Sequence, residues 1–108
     1  MIVDLRIYTC KPNKMNEWIA MYKEMAWPLQ QKYLGRCVGW FTTVEGELNT
    51  IVHVWAYEDQ GDRERRRNAM AADPEWQKLR SRPGLSDNEI VANISNVILR
   101  PLPFSAIS

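Results

Sequence analysis

The chain predicts a single α+β domain of ferredoxin-like architecture, β-α-β-β-α-β, built on an antiparallel sheet. Three observations carry this. Apolar residues alternate with period two over the first ten positions, then recur at steps of three and four over the next stretch. A β-α-β order occurs twice along the chain. The length, 108 residues, suits one domain spanning residues 1–108.

The first strand runs from Ile2 to Thr9. Val3, Leu5 and Ile7 fall on one face; Asp4, Arg6 and Tyr8 fall on the other. Lys11-Pro12-Asn13 ends it, because proline gives no donor to a ladder. Asn13 is the expected N-cap of the first helix. Met15, Trp18, Ile19, Tyr22, Met25, Ala26 and Leu29 then draw one apolar helical stripe, with Glu17, Lys23 and Glu24 mostly off it. Pro28 predicts a kink or restart, and Gly35 a stop.

Cys37 to Val44 reads as a second strand and Leu48 to Tyr57 as a third, joined by the short turn Glu45-Gly46-Glu47 into an antiparallel hairpin. A second helix is capped near Asp59 or Asp62. Asp73-Pro74 marks a fresh helical start, because proline is tolerated in a first turn. Arg80 to Glu89 is a polar loop that could serve as a lid, Ile90 to Leu99 the last strand, and residues 99–108 a C-terminal arm. Right-handed crossovers set strands one and three side by side in the middle of the sheet. They are expected to run parallel to each other, with both helices on one face.

Composition narrows the function classes. The formal charge of +1 favours neither nucleic acid nor an anionic membrane. No run approaches a membrane span, and no signal peptide is expected from Met1 to Tyr8, so a cytoplasmic protein is the default. Cys10 and Cys37 lack metal-ligand spacing and read as ordinary thiols or, less simply, a redox pair. Arg63, Arg65, Arg66 and Arg67 interleave with Asp59, Asp62 and Glu64, which describes a solvated, salt-bridged helix face.

The third strand sorts into Leu48, Thr50, Val52, Val54 and Ala56 on one side and Asn49, Ile51, His53, Trp55 and Tyr57 on the other. The aliphatic sides of the two middle strands are expected under the helices. Arg6, Tyr8, His53, Trp55 and Tyr57, joined by Trp40, would then share the open face. Such a ring-rich surface is a large apolar patch on a monomer, so a second copy is expected to cover it, as a homodimer enclosing a ligand space.

Longer stretches resemble the NIPSNAP family. They are Leu5-Arg6-Ile7-Tyr8-Thr9, Pro28-Leu29-Gln30, Leu34-Gly35 with Val38-Gly39-Trp40-Phe41, and the run from Asn49 through His53-Val54-Trp55-Ala56-Tyr57 to Asp62-Arg63-Glu64-Arg65-Arg66-Arg67, closing on Ala72-Asp73-Pro74-Glu75-Trp76. The resemblance implies a dimeric α/β barrel. Its wider superfamily holds cofactor-independent monooxygenases, haem-handling enzymes, and isomerases or lyases of small aromatic breakdown products. The family itself has no settled common reaction. Its eukaryotic members are linked to vesicle trafficking and mitochondrial quality control, largely through partner binding.

Two readings follow. In the first, the chain binds or transforms a small aromatic or apolar molecule between its sheet and the partner subunit. His53, the only histidine, would act as general acid or base, Arg6 would hold an anionic group, and Tyr8 would assist; Trp40, Trp55, Tyr57 and Asn49 would contact the substrate. Whether the chain is an enzyme at all is left open. The bland alternatives are a structural His53 bonded to Asn49 or Tyr8, and an Arg6 paired with Asp4. No cofactor and no metal are expected, with His53 as a haem ligand a minor alternative. In the second reading the interior is packed solid, and the chain is a non-catalytic interaction module.

Overall fold

The structure, a computed structural model, describes residues 1–81 and 90–107. The expected lid, residues 82–89, lies outside them. Strand β1 (Ile2–Cys10) leads through helix α1 (Met15–Met21), a π-helical turn (Tyr22–Ala26) and helix α2 (Trp27–Tyr33) to β2 (Arg36–Thr42). Strand β3 (Thr50–Tyr57), helices α3 (Gln60–Ala71) and α4 (Pro74–Arg80), and β4 (Val91–Leu99) complete the ferredoxin-like order. The sheet runs β2-β3-β1-β4, and every neighbouring pair is antiparallel. The middle strands therefore run opposite to each other, not parallel. The β1–β2 crossover makes those two strands parallel, and the hairpin reversal then turns β3 against both.

Several boundaries shift for local reasons. Asn13 adopts a left-handed conformation (φ 64°) instead of capping, and Lys14 precedes the helix without a side-chain cap. Asp59 accepts from the Asp62 amide at 2.7 Å, and Asp73 from the Glu75 amide at 2.8 Å, so both expected caps on α3 and α4 are present. The β2–β3 connection is longer than a tight hairpin, spanning residues 43–49.

Pro28 has no amide hydrogen, and the turn before it widens: the Trp27 amide bonds back to the Tyr22 carbonyl, five residues away. This changes the phase of the helix. Gln30 lies twelve residues after Trp18, about 120° off its face in an unbroken α-helix of about 100° per residue. One surplus residue removes roughly 100° of that. The buried stripe is accordingly Trp18, Met21, Tyr22, Ala26 and Gln30, while Ile19 is exposed and Leu29 only half-buried.

The main correction concerns the two faces. Register places Trp40, His53, Arg6 and Asn96 in one cross-strand row, and Thr42, Ile51, Tyr8 and Ile94 in the next row of the same parity. Tyr8, Trp40 and Ile51 pack with Trp18, Met21 and Tyr22 of the first helix; Trp55 and Tyr57 pack with Leu34 and Met70. The alternation is as expected, but its sides are exchanged. The rings and the imidazole lie under the helices. The open face carries Val3, Leu5 and Ile7, with Val52 and Val54, Phe41, Val97 and Leu99. The helix-covered side gains more by burying large rings than small β-branched side chains, because area removed from water grows with side-chain size. Among the described residues, no helix is long and apolar enough to cross a membrane.

Candidate functional site

Between the helices and the sheet lies a chamber of about 80 Å³. Strands β1, β2 and β3 supply Arg6, Tyr8, Trp40, His53 and Trp55; the first helix supplies Trp18, Tyr22 and Gln30; α3 and α4 add Arg67, Met70, Trp76 and Arg80. The structure thus gathers five of the seven expected site residues, on the helix side of the sheet. Tyr57 is buried in the neighbouring cluster with Leu34 and Met70 and does not line the chamber. Asn49 sits in the β2–β3 connection with φ 58°, and its carbonyl accepts from the Cys10 amide at 2.8 Å.

His53 is 2% exposed. The Trp40 ring stacks on it at 3.9 Å between centroids, and Tyr8 meets it edge-on at 4.8 Å. The Trp55 indole Nε1–H donates to His53 Nδ1 at 2.8 Å. An indole N–H can only donate, so Nδ1 must accept, and the proton of the neutral ring resides on Nε2. Burial pushes the imidazole pKa down to about 3, and the positive charges of Arg6 and Arg67 push the same way, against Asp4. At neutral pH His53 therefore presents a hydrogen-bond donor, not a vacant lone pair. It is suited to hold an oxygen in place or stabilise an oxyanion.

Asp4 organises the polar end. It is fully buried and accepts from Arg63 Nε at 2.9 Å, Asn96 Nδ2 at 3.1 Å and Arg6 Nη1 at 3.3 Å. Burial alone would raise its pKa. The bonds from Asn96 and Arg63 and the charges of Arg6 and Arg63 outweigh that and hold it low. The Arg6–Asp4 pairing weighed from sequence is present, and Arg6 also lies 5.8 Å from the centre of the Tyr8 ring. Tyr22 donates to Gln30, and burial drives its hydroxyl far above the ordinary phenol range.

Among the described residues, Arg6 Nε and His53 Nε2 are buried without a hydrogen-bond partner; Trp40 Nε1 and Tyr57 OH are buried with only weaker contacts, to the Cys37 thiol and to Arg67. A second, apolar groove of about 360 Å³ opens beside the first helix and β2; it shares Trp18, Tyr22 and Trp40 with the chamber wall and adds Ile19, Trp27 and Phe41. No group of three potential metal ligands occurs among the described residues.

Reasoning from sequence missed Arg63, Arg67, Trp18, Tyr22 and Gln30. The arginine run is only partly a solvated face. Arg65 and Arg66 are exposed, but Arg63 reaches Asp4 and Arg67 lines the chamber. The signal was available: Arg63, Arg67 and Met70 recur at helical spacing, so the stripe that buries Met70 turns both arginines inward.

The NIPSNAP family model matches residues 3–106. A crystal structure of an uncharacterized NIPSNAP-like domain protein from Burkholderia xenovorans is 39% identical, covers 96% of this chain and 87% of that one, and superposes with a TM-score of 0.86. Protein NipSnap homolog 3A from Homo sapiens is 32% identical over 83 residues, 77% of this chain and 33% of that protein. The chain therefore spans about a third of the length of the curated relatives it matches. A putative antibiotic biosynthesis monooxygenase from Nitrosomonas europaea, 14% identical, covers 94% of this chain and 99% of that one; it shares the fold alone, at a TM-score of 0.66. On the match over nearly its whole length, this chain belongs to the NIPSNAP family.

Proposed function

We propose that this chain binds a small, largely apolar or aromatic molecule in the space between its sheet and its helices. One observation carries this: the buried donors Arg6 Nε and His53 Nε2 have no acceptor among the described residues, and both side chains line one chamber. Leaving a buried donor unmade costs about 1–3 kcal/mol, so an acceptor from outside the chain is favoured there. The chamber alone, at about 80 Å³, takes only a polar head. The adjoining groove, at about 360 Å³, has the size of an ordinary ligand site and accommodates the body. In this reading the neutral His53 holds or polarises an oxygen of the ligand. Any chemistry would resemble isomerase or lyase steps on a stabilised oxyanion.

The working unit is a homodimer closed across the aliphatic face. Phe41, Val97 and Leu99 are 55%, 51% and 46% exposed there, apolar surface that the same face of a second copy would take out of water. Each protomer then keeps its own chamber on the far side of its sheet.

Titrating the purified protein with small aromatic alcohols, amides and carboxylates tests the binding. The reading expects quenching of tryptophan fluorescence and shifts of the Trp40 and Trp55 indole resonances. Absence of both at millimolar ligand refutes it.

A further inference from the structure

The charge balance of the chamber goes one step beyond that reading and rests on it. Asp4 is a single carboxylate, and both Arg6 and Arg63 already converge on it. Arg67 has no carboxylate within 4 Å among the described residues, yet it lines the chamber with Arg6 and Arg80. No aspartate or glutamate lines that chamber among the described residues. Three guanidinium groups, Arg6, Arg63 and Arg67, therefore face one buried counter-charge. Burial disfavours the charged forms of His53 and Arg67; beside it, Arg6 and Arg67 each repel charged His53, and Arg6 and Arg63 repel Arg67, opposed there only by the phenols of Tyr57 and Tyr8.

Uncompensated charge away from water is unfavourable, and the favourable remedy is an anion with acceptor oxygens. The unpartnered donors Arg6 Nε and His53 Nε2 add directional bonds for one. A chamber of about 80 Å³ fits a carboxylate but not a ring, since even an engineered benzene-binding cavity has about 150 Å³. The ring or chain attached to the carboxylate must then continue past Trp40 toward the apolar groove. Trp40 lines both the chamber and the groove, so it stands where the two meet.

We propose that the ligand is an amphiphilic carboxylate, its charged group held by Arg67, Arg6 and the Nε2–H of His53, and its apolar body lying along the groove beside Trp18, Tyr22 and Trp40.

Phenylacetate and its neutral isostere phenylacetamide make the test, followed by indole shifts of the 108-residue chain at low salt, with sodium acetate and sodium phosphate as parallel arms. Phenylacetate is expected to bind at least 10-fold tighter than the amide, and tighter than either inorganic phosphate or acetate. Arg67→Gln should bring the carboxylate-to-amide ratio to within about 2-fold, while Arg65→Gln, on the exposed side of the same helix, should leave it unchanged. Equal binding of acid and amide overturns the charge assignment but leaves the site standing. Phosphate outcompeting phenylacetate overturns the carboxylate class. Failure of every probe overturns both the charge assignment and the site.

Discussion

His53 offers the sharpest test of how the site is built, because no other histidine shares its titration window. In the unfolded chain its pKa is about 6.5; in the folded chain it is pushed down to about 3. A depressed folded value means that the unfolded state takes up the proton first. The contribution is fully present above pH 6.5 and is lost as pH falls toward 3. At pH 5 the unfolded chain sits about 1.5 pH units below its own pKa, while the folded chain has bound almost no proton. At about 1.36 kcal/mol per unit, folding loses about 2 kcal/mol between pH 7 and pH 5. Buried aspartates such as Asp4 add to this only below about pH 4, since the ordinary carboxyl value is 3.8. Urea unfolding at fixed protomer concentration reads it directly: with a slope near 2 kcal/mol/M the midpoint should fall by about 1 M. In His53→Gln the fall over this window should disappear, whatever the variant's absolute stability. A flat wild-type profile from pH 7 to pH 5, or an imidazole carbon resonance titrating near pH 6, would refute the burial and the positive surroundings assigned to this ring.

Other outcomes follow from the same arrangement. Asp4→Ala leaves Arg6 and Arg63 without their shared anion and should lower stability by about 3–5 kcal/mol, read as a large fall in Tm; a fall under 1 kcal/mol would mean that the pairing is solvated. Trp55→Phe removes the donor to Nδ1, so the imidazole nitrogen shifts should change from a single Nε2–H pattern to a tautomer mixture; an unchanged pattern would show that another group fixes the ring. Val54→Asp places a charge in the middle of the aliphatic face, opposite Leu5 in register, and should convert a dimer to monomer by light scattering while leaving the fold intact by circular dichroism; a persistent dimer would place the contact elsewhere. A Cβ at Gly39 would stand 2.5 Å from the Phe41 ring, so Gly39→Ala should displace that ring and disturb the same face, seen as a weaker dimer; an unaltered dissociation constant would count against Phe41 as a contact.

The period of each strand was legible from sequence, and so was the company His53 keeps: Arg6, Tyr8, Trp40 and Trp55 do share its face. Which face the helices cover was not legible. Both sides of β1 and β3 are apolar enough to demand cover, so parity separates the faces without saying what lies over each. Helix phase failed for a different reason. Period counting assumes one hydrogen-bond step throughout, and the turn ahead of Pro28 breaks that step, so Gln30 moves into the stripe and Leu29 is left only half-buried. Arg67 was obscured by its neighbours. Four arginines in five residues read as one solvated cluster until the helical angle divides them between water and chamber.

Strand β4 has a consequence of its own. It lies at the rim of the sheet, and its nine residues, Val91–Leu99, include no Lys, Arg, Asp or Glu. Ile94, Val97, Ile98 and Leu99 are exposed along it. A long, uncharged, β-branched rim is a template for unplanned strand addition, and face-to-face pairing of sheets would leave its outer amides and carbonyls open. Arg100 and Pro101 follow directly, a charge and a ring that cannot extend a ladder, and they act as gatekeepers at its end. Replacing that pair should trade a well-behaved solution for fibrils or precipitate before any loss of the fold itself is seen.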